Sequence, residues 1–369
     1  MVALTGCQGS PELGTPGFVQ GFAGAVVADE PHAALIGRDV LAAGGSAGDA
    51  ATATFFALGV TKPASAGLAA HGYCLDYRVE DQTRQAYRFG SPAAVRAMAA
   101  IHARLGVFPW RQAVGPAEAL ARFGSKLSLA FAADWQSVAP EDLAARAVFG
   151  DGRAGREVQQ FDLAGLLGQI RQQGAGSFYS GGAAQTLWQA AEAIGIRIDR
   201  DHWRRVVAES ADVETTSLGN HSLALLPFPA GQGAQPGPAE TAIVVADRVG
   251  NAVACVFTMG RPFGIGRLTG GVFLAASGAP AGEPVLVTNP NTKILLAALA
   301  GGQGRAFLQR LADQTVEQRL PLGQAIGSPH RGQVNAIVCP RGLPNYPESC
   351  TAAADPAGQG LAAVAEPPH

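Results

Sequence analysis

Two apolar runs decide the fold: Thr241 to Ala246 (TAIVVA) and Ala252 to Thr258 (AVACVFT). Asp247-Arg248-Val249-Gly250 joins them. β-Branched residues on both sides of a short Asp/Gly turn are the signature of a hairpin. Around it, Ser222 to Leu226, Gly271 to Ala275 and Pro284 to Thr288 read as further strands, and Lys293 to Leu299 is an apolar run ending on Gly301-Gly302. The N-terminal half has a different texture. Pro31 to Ala43 is helical and stops on Gly44-Gly45, and Asp49 is placed to cap a second helix through Leu58. Pro92 to Leu105, Trp110 to Arg122, Pro140 to Val148, Asp162 to Gln173 and Gly181 to Ile194 are helical as well. Strands there are few: Val26 to Ala28, Gly72 to Tyr77 and Gln85 to Phe89. Helices first and hairpins later, without βαβ alternation, argue for an α+β layered fold rather than a doubly wound one.

The 369 residues are 47% hydrophobic and only 15% charged, which is enough apolar material for a large core and excludes a wholly disordered chain. A net charge of -2 gives no electrostatic footprint for nucleic acid or an anionic membrane face. No apolar run reaches the length of a transmembrane helix. The histidines show no i, i+4 pairing and the five cysteines form no CxxC, so neither a metal nor a cofactor is expected. Gly44-Gly45-Ser46-Ala47-Gly48 matches G-x-S-x-G, but a nucleophile elbow needs a strand before the serine and here a helix precedes it. Gly264-Ile265-Gly266 with Gly270 has the wrong spacing for a dinucleotide loop.

Val2 to Cys7 resembles the end of a bacterial lipoprotein signal, without its basic and long apolar parts. The expectation is a tether over residues 1–20, lipid-anchored at Cys7, and a place in the cell envelope or periplasm, with membrane contact only through that lipid. Cys339 and Cys350 flank the loop from Pro340 to Ser349; the sequence leaves open whether they form a disulfide or stay as two buried thiols.

Several separated segments, in order, resemble the γ-glutamyltransferase family of N-terminal-nucleophile hydrolases. Gly44-Gly45-Ser46-Ala47-Gly48-Asp49-Ala50-Ala51 is similar to that family's G-G-N-A-x-D-A-A, with Pro63-Ala64-Ser65-Ala66-Gly67 following. Arg88-Phe89-Gly90-Ser91-Pro92 is similar to R-E-x-x-P, and Ala246-Asp247-Arg248-Val249-Gly250-Asn251-Ala252-Val253 to V-D-x-x-G-N-A-V. The resemblance implies a four-layer αββα sandwich, with a large-subunit-like region over 21–239 and a small-subunit-like region over 240–369. It also implies a threonine nucleophile freed by self-cleavage, an arginine for the substrate carboxylate at Arg88, and an oxyanion hole at Gly301 and Gly302.

The departures from the family concern chemistry. The nucleophile position falls on Glu240, which has no hydroxyl to attack with. Thr241 follows it and becomes the nucleophile only if a bulge slips the strand by one residue. A substrate-contacting asparagine is replaced by Gly260, paired serines by Val287-Thr288, and the acidic and amide residues for the substrate's amino group by Ala275 to Pro280. The sequence therefore implies a γ-glutamyltransferase-like scaffold with little or no γ-glutamyl transfer or glutathione hydrolysis, serving as a carboxylate-ligand or envelope binding module. The alternative is a divergent active enzyme cut before Thr241. In either case the expected partner is a small γ-glutamyl or carboxylate molecule, not nucleic acid.

Overall fold

The computed structural model describes residues 21–138, 140–228, 239–301, 304–327 and 333–367. The proposed tether, with Cys7, lies outside the described residues, and so does Gly302.

Two antiparallel sheets lie face to face. The first has seven strands. Its centre is the hairpin Glu240–Asp247 and Ala252–Thr258, flanked by Gly24–Ala28 and Leu361–Ala365 on one side. On the other side come His71–Arg78, Thr83–Phe89 and the edge strand Glu209–Asp212. The second sheet has six strands, with Glu283–Asn289 and Ile294–Gly301 at its centre. Alternation along the hairpin sorts side chains between two cores. Ala242, Val244, Ala246, Ala254 and Val256 meet Leu286, Leu295, Ala298 and Ile337 between the sheets. Ile243, Val245, Val253 and Phe257 face outward under helices that include Pro31–Ala42 and Ala47–Thr61. On the far side of the second sheet, Val285, Leu296 and Leu299 pack under the helices Arg305–Ala312 and Leu322–Ile326. Helix, sheet, sheet, helix is the αββα order.

Two buried aspartates tie the layers together. Asp49 does not cap the second helix itself. Ser46 is the N-cap, and Asp49, three residues on, completes a reciprocal capping box. The same carboxylate accepts Val107 and Phe108 N–H, docking the end of the Ala94–Leu105 helix. Asp247, in the hairpin turn, accepts Val249, Gly250 and Asn251 N–H, and also Ala47 N–H at 3.0 Å. The glycine-rich motif and the hairpin motif, 200 residues apart, thus meet in one hydrogen bond.

Two disulfides close within the sheets. Cys339 and Cys350 are bonded, which settles the alternative left open by sequence. Cys74 and Cys255, directly opposite each other on neighbouring strands, form a second bond that sequence reading did not anticipate. Among the described residues, no helix is long and apolar enough to cross a membrane, and no cluster of three His, Cys, Asp or Glu is placed to hold a metal ion.

Candidate functional site

The head of the Glu240–Asp247 strand carries the site. Glu240 has the same parity as Ala242 and Val244, so its side chain points between the sheets. Thr241 has the parity of Ile243 and Val245 and points the other way, under the helices. Its hydroxyl donates to Asp29 Oδ2 at 2.9 Å, and the residue is buried. Pairing with the next strand runs without interruption from Glu240–Thr258 to Ala246–Ala252. No bulge interrupts the strand between Glu240 and Ala246 in this pairing. Asp29 fixes this register. It also accepts Ala242 N–H at 2.8 Å, while Asn335 Nδ2 bridges Asp29 Oδ1 and the Ala242 carbonyl at 2.9 and 2.8 Å.

The Glu240 carboxylate is held by backbone. Ala281 N–H donates to Oε2 at 2.6 Å and Gly282 N–H to Oε1 at 2.9 Å. Burial pushes its pKa up to about 7; the two amides pull it down and the charge of Asp29 adds to the rise. Gly282 must be glycine for this contact. A Cβ there would lie 2.6 Å from Glu240 Oε1 and 2.9 Å from Gly301 Cα. Gly301, at φ +93°, ends its strand beside this point, and a Cβ on it would meet Gln333 O at 2.3 Å. The structure thus brings Glu240 and Gly301 together. The amide pair that faces the carboxylate is Ala281 and Gly282, which sequence reading missed. Its one local signal is the short Ala281-Gly282 pair before the strand at Glu283.

The carbonyl preceding Glu240 is also held by two donors. Ala239 O accepts Met259 N–H at 3.0 Å and the Thr258 hydroxyl at 2.9 Å. Thr258 accepts Gly260 N–H in turn, so this hydroxyl on the inter-sheet face is already engaged. Gly260 has no room for a substrate-contacting side chain. Its φ is +73°, and a Cβ would come within 2.4 Å of Ala276 O. Thr288 is fully buried and its hydroxyl accepts from Arg84, not from Arg88.

Arg88 belongs to the same face. A row of facing residues runs across the first sheet as Ala242, Val256, Tyr73, Arg88 and Glu209. Arg88 lines a cleft of about 400 Å3 with His71, Tyr73, Val207, Glu209 and Pro280. Its guanidinium lies over the Phe228 ring at 4.8 Å. Nε and Nη2 both donate to Glu209 Oε2, at 3.1 and 2.6 Å. Burial raises the Tyr73 phenol, Arg88 pulls it down, and Glu283 and Glu240 push it up, which gathers these charges around one ring. His71 Nδ1 accepts Ser91 N–H, so Nε2 carries the proton that bonds Ala276 O at 2.9 Å. Burial pulls the imidazole pKa down, and the Ala276 carbonyl opposes it. The arrangement is a cleft with Arg88 as its cation, and beside it a strand head that carries a raised-pKa carboxylate. The Thr241 and Thr258 hydroxyls at that strand head are both engaged.

The gamma-glutamyltranspeptidase family model matches residues 33–91 and 77–235, together more than half of the chain. The chain belongs to that family. The glutathione hydrolase proenzyme of Pseudomonas aeruginosa is 31% identical over 202 residues, covering 44% of this chain and 35% of that one. The capsule biosynthesis protein CapD proenzyme of Bacillus anthracis is 29% identical over 191 residues, covering 45% and 35%. These matches span about a third of each relative's length. Among solved structures, a cephalosporin acylase from Bacillus halodurans superposes over 100% of both chains with a TM-score of 0.74 at 15% identity. The Helicobacter pylori gamma-glutamyltranspeptidase superposes over 58% of this chain and 72% of its own with a TM-score of 0.51 at 22% identity. These neighbours share the αββα fold of the N-terminal-nucleophile hydrolases, and they carry no more than the fold.

Proposed function

We propose that this member of the gamma-glutamyltranspeptidase family neither cuts itself nor transfers γ-glutamyl groups, and that its cleft serves as a binding site for a small carboxylate. One observation carries this reading. The residue at the head of the strand is Glu240, a carboxylate already held by the Ala281 and Gly282 amides. Acyl transfer needs a nucleophile with a base beside it, and the nearest threonine, Thr241, is buried with its hydroxyl donated to Asp29. Arg88 supplies the cation for a carboxylate, and the Phe228 ring fixes its plane. The two disulfides favour an oxidising compartment, consistent with the cell envelope.

The test is the intact mass of the purified, fully incubated protein, followed by an assay with a chromogenic γ-glutamyl anilide. An uncut 37.7 kDa chain without turnover is expected. A C-terminal fragment beginning at Thr241, with turnover, would overturn this reading and leave the divergent active enzyme in its place.

A further inference from the structure

Two points in this region can hold an anion, one of them in the cleft, and the chain fills both itself. The Ala281 and Gly282 amides hold Glu240, and Arg88 holds Glu209. The two occupants are not held equally. Glu240 is largely enclosed and takes two backbone donors, one on each oxygen. Glu209 sits on a four-residue edge strand, its side chain 54% exposed, and uses a single oxygen. Exposed cross-strand ion pairs of this kind are weak. The guanidinium also rests on the buried Phe228 ring, a contact independent of Glu209.

We propose that Glu209 is an internal surrogate for the ligand: it occupies Arg88 in the resting cleft, and a carboxylate ligand binds by displacing it. The proposal rests on the carboxylate-binding reading above and adds how that site is gated. It also bounds the ligand. Among the described residues, Arg88 is the one arginine or lysine lining the cleft, so the ligand presents one carboxylate to it. The other walls include Val207, Pro280, Phe89 and the Tyr73 ring beside His71, which suit an apolar or aromatic body attached to that carboxylate. A cleft of about 400 Å3 has room for a ligand of that small size.

The experiment compares the intact wild type with Glu209→Gln and Arg88→Ala, using phenylacetate and the isosteric neutral phenylacetamide as probes in calorimetric titration. Glu209→Gln keeps the shape and hydrogen-bonding reach of the side chain but removes the competing charge. The expected result is that phenylacetate binds Glu209→Gln roughly two- to five-fold more tightly than wild type, the range an exposed ion pair allows. Binding is lost in Arg88→Ala, and phenylacetamide binds none of the three. Equal or weaker phenylacetate binding by Glu209→Gln, with wild-type binding still dependent on Arg88, overturns the surrogate role but leaves the carboxylate site standing. Absence of Arg88-dependent binding in both wild type and Glu209→Gln overturns both.

Discussion

Replacing Glu240 by glutamine has a consequence that pH alone reads out. In the folded chain the Glu240 carboxyl sits at about 7, against an ordinary 4.5. The groups that face it are the Ala281 and Gly282 amides, Tyr73 across the sheet and Asp29 behind the strand. A raised acid binds its proton more tightly folded than unfolded. Stability from this group is therefore present at low pH and is lost as pH climbs from about 4.5 to about 7. A tenfold difference in proton affinity between folded and unfolded chain is worth about 1.4 kcal/mol, so the loss between pH 5 and pH 8 comes to roughly 2.5 kcal/mol. Glutamine does not titrate. It also mispairs, because its NH2 group opposes one of the two backbone N–H donors, and this lowers stability by an amount that does not change with pH. The informative quantity is the slope. Unfolding free energies from urea melts at pH 5, 6, 7 and 8 should show Glu240→Gln gaining on wild type by roughly 2.5 kcal/mol across the series. Asp76, Asp134, Asp247 and Glu283 are also raised by burial, but they titrate in both proteins and drop out of the difference. Two curves that stay parallel within about 0.5 kcal/mol would refute the claim that Glu240 is an enclosed, charge-bearing group at this strand head.

Two further predictions concern the same strand and its support. Glu240→Thr places a hydroxyl next to the Ala239 carbonyl, which Met259 N–H and the Thr258 hydroxyl already hold; slow cleavage between Ala239 and position 240 should appear on denaturing gels, and an uncut chain after prolonged incubation would count against a surviving cleavage geometry. Lys62 and Asp134 form an enclosed ion pair at 2.6 Å, so Lys62→Met should cost about 3–5 kcal/mol in thermal or urea melts, and adding Asp134→Leu should recover most of it.

How far the fold can be read from sequence follows from where the signal is local. The central hairpin is legible because its strands alternate between two cores and its turn is made by Asp247 and Gly250. The early helices are legible from their glycine stops. Glu209–Asp212 and Glu214–Leu218 do not read as strands: they are polar, exposed edge strands, and what makes them strands is pairing with distant partners. The Lys293 to Leu299 run is only apolar in sequence; as the central strand Ile294–Gly301, buried on both faces, it has no alternation to betray it. Asp49 reads as a cap in sequence because capping residue and capping-box partner are both small and polar, three positions apart. In the site, Arg88, Gly301 and Glu240 can be placed from ordered segments. Asp29, Glu209, Ala281 and Gly282 cannot, since each acts through a partner brought by another strand or loop.

That contrast bears on what Glu240 does. A hydroxyl at this place would leave the Ala281 and Gly282 amides facing an enclosed space without an acceptor, at a cost of about 1–3 kcal/mol for each donor left unpaired. The glutamate carries no hydroxyl but makes both of those hydrogen bonds, with Gly282 lacking the Cβ that would block them. Glu240 and the loop at Ala281 and Gly282 are therefore one coupled unit. Changing Glu240 to threonine alone opens an anion pocket at the amides as well as placing a hydroxyl there. For that reason Glu240→Thr should bind small anions at Ala281 and Gly282 even if cleavage is slow, whereas Glu240→Gln, which keeps the amides partly filled, should not.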